Sequence, residues 1–270
     1  MPRKLAVVVA CVSALLAIGL ISGVSLGLAT PRPANGPSAT LEPDATETST
    51  SPGSSAPQAT ASAALGTPAP YCAIADQMTP YHAYADYART YLDWTYALPP
   101  AYAPPDLTPV ASAGFAESRS ESVRAILIAD LAALRADAAA AGHRLAVLSG
   151  YRSYAEQQAT FAYWVRVGGY DQALRTSARA GHSEHQLGTA IDFSSAGENP
   201  PWQYADWGTT PSGRWLAENA WRYGFVLSYP AGKSAITCYD YEPWHYRWVG
   251  RERAAALRQS GVTLREFLGS

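Results

Sequence analysis

Residues 30–70 are rich in Pro, Ser, Thr and Ala and carry few large apolar side chains. A segment of this composition cannot bury enough surface to offset the conformational entropy lost on ordering, so we predict a disordered linker here. As a flexible coil of about 40 residues, the linker would span roughly 35 Å on average. Because it cannot join a core, folding is confined to residues 71–270, a length that suits one domain.

An apolar segment precedes the linker, and its residues 5–29 include no charged side chain. A stretch of about 25 such residues is long enough to cross a bilayer with some tilt. Arg3 and Lys4 lie before it, which predicts a cytoplasmic N-terminus and an exported remainder. We therefore predict that residues 1–29 are a membrane anchor or a signal peptide, and we favour the anchor. The expected location is the extracytoplasmic face of the cell membrane, or outside the cell if the chain is cleaved after Ala29.

The charge of the chain argues against one class of partner. The sequence contains 20 Lys and Arg residues against 22 Asp and Glu residues, a formal net charge of −2. Nucleic-acid-binding domains usually carry a basic surface and a positive net charge. We therefore expect no nucleic-acid partner.

Two of the three cysteines, Cys72 and Cys238, lie in the part of the chain that is expected to fold. An exported domain occupies an oxidising compartment, where an even pair of cysteines is typical of a disulfide. We predict a bond between Cys72 and Cys238. Two unrelated buried thiols are the alternative.

Hydrophobic periodicity and capping residues predict six helices. The first begins at Thr79 and stops before Pro99. The clearest is capped by Ser120 or Ser122 and ends at Gly142. The others cover residues 153–169, 211–224, 251–261 and 263–269.

Short apolar runs between these helices predict four strands. They cover residues 144–149, 189–194, 225–230 and 245–249. The proline-rich residues 101–110 are expected to be irregular. This order of elements indicates an α+β fold, in which a small antiparallel β-sheet is flanked by helices.

The sequence SEHQLGTAIDF at residues 183–193 places His185 and Asp192 in an otherwise apolar stretch. Charged residues are seldom buried without a partner, and a metal ion is the candidate partner here. A catalytic zinc site needs about three nitrogen or oxygen ligands, and His245 in YDYEPWHYRWVG is a candidate for the third. Glu242 lies three residues before it, where it could accept a proton from water that the metal acidifies.

Each of these signals is weak by itself. A histidine seven residues before an aspartate is commonly a surface histidine and a capping residue. The sequence Glu-Pro-Trp-His is equally ambiguous. From spacing alone, the metal site and this purely structural interpretation both stay open.

Three segments together resemble the VanY-type D-alanyl-D-alanine carboxypeptidases, which are zinc peptidases of bacterial cell walls. The segments are SGYRSYAEQQATF, GHSEHQLGTAIDF and YGFVLSYP followed by EPWHYRWVG, in the family's order and approximate spacing. LPPAYAPPDL resembles the segment that precedes the family's catalytic core, so the likeness covers roughly residues 94–250. The resemblance implies a single zinc-peptidase domain over residues 71–270.

The resemblance also implies roles for particular residues. His185, Asp192 and His245 would bind Zn²⁺, and Glu242 would be the general base. Arg152 would steady the substrate carbonyl and the developing oxyanion. A fixed guanidinium suits that role because it stabilises charge that appears in the transition state.

The resemblance extends to three further positions near the proposed site. Gln157 and Ser183 match positions that bind the substrate, with a helix-surface glutamine and a turn serine as the structural alternative. His182 matches a variable position that is not a ligand. The chain departs from the family at Cys238, where relatives often have glycine.

The implied function is a zinc-dependent D,D-carboxypeptidase that removes the terminal D-Ala from peptidoglycan stem pentapeptides. An L,D-carboxypeptidase or a peptidoglycan endopeptidase of the same fold is the alternative. An alternative of another class is a non-catalytic, zinc-containing module that binds wall peptides. Glu242 and Arg152 favour the enzyme, since a binding module needs no base. The expected partners are stem peptides and the membrane, and the chain is expected to be a monomer.

Overall fold

The computed structural model describes residues 72–118 and 121–269. The predicted anchor or signal peptide (residues 1–29) and the predicted linker (30–70) lie outside the described residues. Among the residues that are described, no helix is long and apolar enough to span a bilayer.

Four of the eight strands found in the described residues make a central sheet. In chain order the strands are β1 (Gln77–Met78), β2 (Tyr96–Ala97), β3 (Leu107–Pro109), β4 (Ser122–Arg124), β5 (Leu145–Ser149), β6 (Ala190–Ser195), β7 (Phe225–Leu227) and β8 (His245–Trp248). The central sheet is antiparallel throughout and has the order β5-β6-β8-β7. β3 and β4 form a separate antiparallel pair, and β1 and β2 form a parallel pair.

Seven α-helices accompany these strands within the described part of the chain. They are α1 (Ile128–Ala140), α2 (Tyr154–Gly168), α3 (Tyr170–Thr176), α4 (Pro211–Asn219), α5 (Ser234–Thr237), α6 (Arg251–Ser260) and α7 (Leu264–Leu268). α2 begins with a reciprocal cap, in which Ser153 Oγ accepts from the Glu156 N–H and the Glu156 carboxylate accepts from the Ser153 N–H. Such a cap contributes about 1 kcal/mol, and it fixes the start of α2 at Tyr154, two residues after Arg152.

The two faces of the central sheet differ because side chains alternate along each strand. On β6, Ile191 and Phe193 are fully buried in a hydrophobic core to which α1 contributes Leu131 and Leu134. Burial of each such side chain stabilises the fold by about 1.5–3 kcal/mol. Asp192 lies between the two apolar residues of β6, so its side chain belongs to the opposite face. The apolar face therefore holds the sheet in place and leaves the other face for polar groups.

The predicted α+β class with a small antiparallel sheet is confirmed. The four predicted strands correspond to β5, β6, β7 and β8. The helices predicted over residues 153–169, 211–224, 251–261 and 263–269 correspond to α2, α4, α6 and α7. α4 ends at Asn219, and the 3₁₀ turn Ala220–Tyr223 completes the predicted length up to Gly224.

The helix predicted over residues 79–98 is wrong. The structure has the 3₁₀ turn Tyr84–Asp86 and strand β2 in this segment. Asp93 is fully buried, its Oδ1 accepts from the Thr95 N–H at 2.7 Å, and its Oδ2 pairs with Arg265 at 2.6 Å. These contacts favour an irregular backbone over a helix, because a buried carboxylate must be paired and hydrogen-bonded.

The predicted start of the next helix is also wrong. Ser122 is the first residue of β4 and not a helix cap, and Ser120 lies outside the described residues. α1 begins only at Ile128. β4 pairs with β3, in a register that places Leu107 opposite Arg124. Part of the segment 101–110, expected to be irregular, is therefore a strand. Pairing between two segments leaves no trace in the periodicity of either one.

Candidate active site

Two candidate ligands lie opposite each other on the central strands. Asp192 of β6 is paired with His245 of β8 in the antiparallel register. Side chains at paired positions share one face of the sheet, with Cβ atoms about 4.5–5.5 Å apart. His245 Nδ1 is accordingly 3.0 Å from Asp192 Oδ1. Strand pairing alone thus joins two residues that are 53 positions apart.

The third candidate ligand comes from the turn before β6. His185 lies in the 3₁₀ turn Glu184–Leu187, which ends at Gly188 in the left-handed region with a φ of 69°. A Cβ added at Gly188 would lie 3.0 Å from the Arg124 side chain, so conformation and space both favour glycine here. The turn places His185 Nε2 3.2 Å from Asp192 Oδ2.

His185, Asp192 and His245 form a buried group that can hold a metal ion. One ligand atom from each residue lies within 4.8 Å of the other two. Two imidazole nitrogens and one carboxylate oxygen match the three-ligand sets of catalytic zinc sites. The donors in this group therefore fit Zn²⁺.

Each histidine has a second partner that decides which ring nitrogen faces the group. His185 Nδ1 donates to the Gly150 carbonyl oxygen at 2.7 Å, since a carbonyl can only accept. His245 Nε2 lies 3.0 Å from Glu184 Oε2. Nε2 of His185 and Nδ1 of His245 are thereby directed at Asp192. Contacts of this kind orient metal-binding imidazoles.

Burial and mutual contacts shift the pKa values within the group. Burial lowers the pKa of His185, which keeps its imidazole neutral and available as a ligand. Burial would raise the pKa of Asp192, but the neighbouring His185 and His245 hold it well below its usual range. Burial would lower the pKa of His245, but hydrogen bonds with Asp192 and Glu184 raise it to about 10. The carboxylates therefore favour positive charge at this point, as a metal site requires.

Glu242 lies in the loop before β8, with its carboxylate close to the ligands. Glu242 Oε2 is 4.0 Å from His245 Nδ1, and the Glu242 side chain is 16% exposed. The loop is held by the Glu242 N–H, which donates to the Tyr229 carbonyl oxygen at 3.1 Å. Burial raises the pKa of Glu242 to about 8. A carboxyl with this pKa is suited to exchange a proton near neutral pH.

Arg152 reaches the group from the loop after β5. A shift of register between Val147 and Ser149 marks the irregular end of that strand, as is common beside active sites. Arg152 Nη2 is 3.9 Å from Asp192 Oδ2 and donates to Ser149 Oγ at 2.9 Å. Its Nη1 donates to Gln157 Oε1 at 2.8 Å. The guanidinium is thus fixed beside the ligand group.

Gln157 and Ser183 are both buried. Gln157 is 1% exposed, so the helix-surface alternative is wrong. Besides its contact with Arg152, its Nε2 donates to the Ala178 carbonyl oxygen at 2.6 Å. Ser183 is 4% exposed, and its Oγ accepts from the His185 N–H at 3.3 Å. Gln157 therefore supports Arg152, and Ser183 caps the turn that carries a ligand.

His182 is separate from the ligand group. Its Nε2 is 3.0 Å from Asp76 Oδ1, and its Nδ1 donates to the Asp93 carbonyl oxygen at 2.6 Å. Both partners belong to the segment before β2. His182 thus ties that segment to the turn that carries His185.

Cys72 and Cys238 are joined by a bond between their Sγ atoms. Cys238 has a φ of 70°, which lies in the left-handed region that favours glycine. The bond connects the first described residue to the loop that carries Glu242.

Sequence reasoning missed a buried ionic cluster beside His245. Arg247 Nη1 donates to Glu184 Oε1 at 2.8 Å, and Ser228 Oγ donates to Glu184 Oε2 at 2.6 Å. Arg247 lies two residues after His245 on one strand, so both share a face. That alternation is the signal that could have identified Arg247. Glu184 has no comparable signal beyond its place next to His185.

Comparison with known proteins agrees with this geometry. The family model VanY, described as D-alanyl-D-alanine carboxypeptidase, matches residues 120–251. Two solved VanY structures, one with D-alanine-D-alanine and one with Zn(II), are each 30% identical to the chain with a TM-score of 0.56. They cover 68% and 67% of this chain, and the chain covers 98% and 99% of theirs. The chain belongs to the VanY family.

Other relatives of this VanY-family chain are also named carboxypeptidases. The structure of the LdcB LD-carboxypeptidase is 35% identical to this chain, with a TM-score of 0.56. The match covers 65% of this chain and 83% of the LdcB chain. The putative carboxypeptidase YodJ of Bacillus subtilis is 40% identical over 174 residues, which are 64% of this chain and 63% of YodJ. The chain thus spans less than two thirds of YodJ.

Proposed function

We propose that this protein is a zinc-dependent D-alanyl-D-alanine carboxypeptidase that removes the terminal D-Ala from peptidoglycan stem pentapeptides. The convergence of His185, Asp192 and His245, with Glu242 beside them, supports this most strongly. Three ligands and a buried carboxyl of raised pKa suit zinc-assisted hydrolysis. Arg152 adds the fixed positive charge that helps acyl-transfer chemistry. The substrate class follows the description of the VanY family.

In this proposal His185, Asp192 and His245 would hold Zn²⁺, which would supply the Lewis acidity that polarises the scissile carbonyl and acidifies a water molecule. Glu242 accepts the proton of that water as its oxygen attacks the carbonyl carbon. Arg152 stabilises the negative charge on the former carbonyl oxygen. Glu242 then donates the proton to the nitrogen of the departing D-alanine, and the amide bond to that nitrogen breaks.

Gln157 and Ser183 serve the substrate site in different ways. Gln157 acts through Arg152, because its Oε1 accepts from the guanidinium at 2.8 Å. Ser183 Oγ accepts one hydrogen bond from the backbone, and a hydroxyl that accepts still has its own proton to donate. We therefore assign Ser183 a contact with the peptide and Gln157 the support of Arg152.

A second candidate is an L,D-carboxypeptidase, which would use the same active-site residues to cut a stem tetrapeptide. LdcB favours it, because its identity to the chain is 35% against 30% for the two VanY structures, at the same TM-score. A peptidoglycan endopeptidase would apply the same chemistry to cross-linked peptides. A zinc-containing binding module is less consistent with the site, since it would have no use for Glu242 as a base.

The proposed place of work is the outer face of the cell membrane. Residues 1–29 would hold the protein there and residues 30–70 would act as the tether, with secretion after Ala29 as the alternative. The bond between Cys72 and Cys238 supports an oxidising compartment. We expect a monomer whose partners are stem peptides.

Replacing Glu242 by Ala tests the enzyme against the binding module. E242A should lose nearly all turnover of a muramyl pentapeptide and keep its zinc, because the three ligands are unchanged. E252A removes an exposed carboxylate of α6 and is the matched control, which should keep both properties. Product analysis and metal content are the two measurements. Wild-type turnover in E242A would contradict the assigned base.

A further inference from the structure

Glu184 is a buried carboxylate, and both of its oxygens contact other buried polar groups. The residue is 4% exposed. Its Oε2 is 3.0 Å from His245 Nε2 and accepts from Ser228 Oγ at 2.6 Å. Its Oε1 accepts from Arg247 Nη1 at 2.8 Å. Burial of a carboxylate costs free energy unless it is paired and hydrogen-bonded, so Glu184 depends on this set of partners.

Arg247 anchors the carboxylate to the first part of the domain. Its side chain is fully buried. Its Nη2 donates to the carbonyl oxygens of Tyr87 and Thr90, at 2.5 Å and 2.7 Å. A guanidinium held by two backbone oxygens and one carboxylate has little freedom to move. Arg247 therefore fixes Glu184 through Oε1, the oxygen that does not contact His245.

The ring of His245 is held on three sides. Nε2 faces Glu184, Nδ1 faces Asp192, and the ring of Tyr229 packs against it with centroids 4.8 Å apart. A carboxylate can only accept, so Nε2 must carry a hydrogen to bond Glu184. In the metal-free protein Nδ1 likewise donates to Asp192, and when a metal ion replaces that proton, the hydrogen kept on Nε2 leaves the Nδ1 lone pair for the ion.

We propose that Glu184, fixed by Arg247 and Ser228, is a positioning residue that presents the Nδ1 lone pair of His245 to the metal and so sets the metal affinity. The inference rests on the proposed zinc site. Glu184 acts through His245 and does not bind the ion itself. The carboxylate partner of a metal-binding histidine typically changes metal affinity about 10- to 100-fold.

The test is the zinc affinity of the full-length protein, measured by competition with a chromophoric chelator and without substrate. E184Q alone leaves Arg247 buried without its carboxylate, so the test variant is E184Q/R247M, which removes both charges. D93N/R265M is the matched control, because it removes another buried pair. In that pair Arg265 Nη2 and Asp93 Oδ2 are 2.6 Å apart, and the two residues are 6% and 0% exposed.

The zinc dissociation constant should rise about 10- to 100-fold in E184Q/R247M and stay unchanged in D93N/R265M, even where both variants unfold more readily. The visible spectrum of the Co²⁺-substituted protein should change in E184Q/R247M alone, because it reports ligand geometry. An unchanged zinc affinity in E184Q/R247M would overturn the proposal. An equal loss in D93N/R265M would overturn it as well.

Ser228→Ala covers the case in which E184Q/R247M does not fold, which circular dichroism would show. S228A removes one donor to Glu184, keeps both charges, and should weaken zinc binding by a smaller factor. No change in S228A would then overturn the proposal. Failure of the proposed function looks different: a wild-type protein that binds zinc and cuts no stem peptide contradicts the carboxypeptidase and leaves the role of Glu184 intact.

Discussion

Two carboxylates within one site differ in their protonation because their neighbours differ. Asp192 lies against His185 and His245, which hold its pKa well below its usual range and keep it ionised. Glu242 is 4.0 Å from His245 Nδ1, and burial raises its pKa to about 8. Environments that separate the pKa values of two carboxyls divide their roles. Asp192 is thus suited to bind a cation and Glu242 to exchange a proton.

The metal-free protein should lose stability as pH rises because of Glu242. The folded state keeps this carboxyl protonated up to a pKa of about 8, whereas the unfolded chain loses the proton near the ordinary value of 4.5. The stability contributed by the neutral form is full below about 4.5 and is lost as pH rises through about 8. E242Q should not show this pH-dependent loss of stability, because its amide does not ionise. Its urea midpoint should therefore exceed that of the wild type by a margin that grows as pH rises from about 4.5 to about 8. E252Q, an exposed control, should follow the wild type, and a gap independent of pH would contradict the assignment.

Strand pairing and tight turns assemble the site at the scale of elements. The register of β6 against β8 places Asp192 opposite His245. The turn that ends at Gly188 supplies His185. The loop after β5 approaches from the other side, and its Gly150 carbonyl oxygen accepts from His185 Nδ1. The position of the ligands therefore depends on how closely that loop packs.

Gly150→Ala should lower both stability and zinc affinity. An added Cβ would lie 2.4 Å from the Ser122 carbonyl oxygen, a backbone atom that cannot turn away. The loop must then shift and move the carbonyl that orients His185. Gly142→Ala is the control, because its φ of 86° is strained for alanine but nothing lies within 4 Å of the added Cβ, so it should lower stability alone. Thermal unfolding and chelator competition measure the two effects, and wild-type zinc affinity in Gly150→Ala would contradict the role of this loop.

At the scale of the whole molecule, much of the fold is predictable from local signals. Strands β5 to β8 are short apolar runs, and helices α2, α4, α6 and α7 have clear caps or periodicity. The apolar side chains that produce those signals, such as Ile191, Phe193 and Leu216, are buried in the core. The ligand candidates His185, Asp192 and His245 are predictable because their spacing belongs to motifs that resemble the VanY family.

The remainder depends on partners that are far away in the sequence. Asp93 pairs with Arg265, 172 positions later, and the segment around it is irregular where a helix is predicted. Glu184 pairs with Arg247, 63 positions later. Local periodicity carries no information on such pairs, because it reports only which face of an element is apolar. Sequence reasoning therefore identified the candidate ligands and missed the charges that hold them.

The bond between Cys72 and Cys238 should stabilise the domain without affecting the metal site. It joins residues 166 positions apart. A bond that closes a long loop restricts the unfolded chain and typically contributes about 2–4 kcal/mol. C72S/C238S should lose about this much free energy of unfolding and keep its zinc affinity, since neither cysteine is a ligand. C11S is the control and should unfold like the wild type. Equal urea midpoints for C72S/C238S and the wild type would contradict the prediction.

The most direct test of the proposed function is product analysis with the purified full-length protein. A muramyl pentapeptide ending in D-Ala-D-Ala and the matching tetrapeptide would be incubated separately, with and without a chelator, and followed by mass spectrometry. The D,D-carboxypeptidase predicts loss of a single alanine from the pentapeptide, abolished by the chelator, and an unchanged tetrapeptide. An intact pentapeptide in the presence of zinc-loaded protein would contradict it, and cleavage of the tetrapeptide alone would establish the L,D-carboxypeptidase in its place.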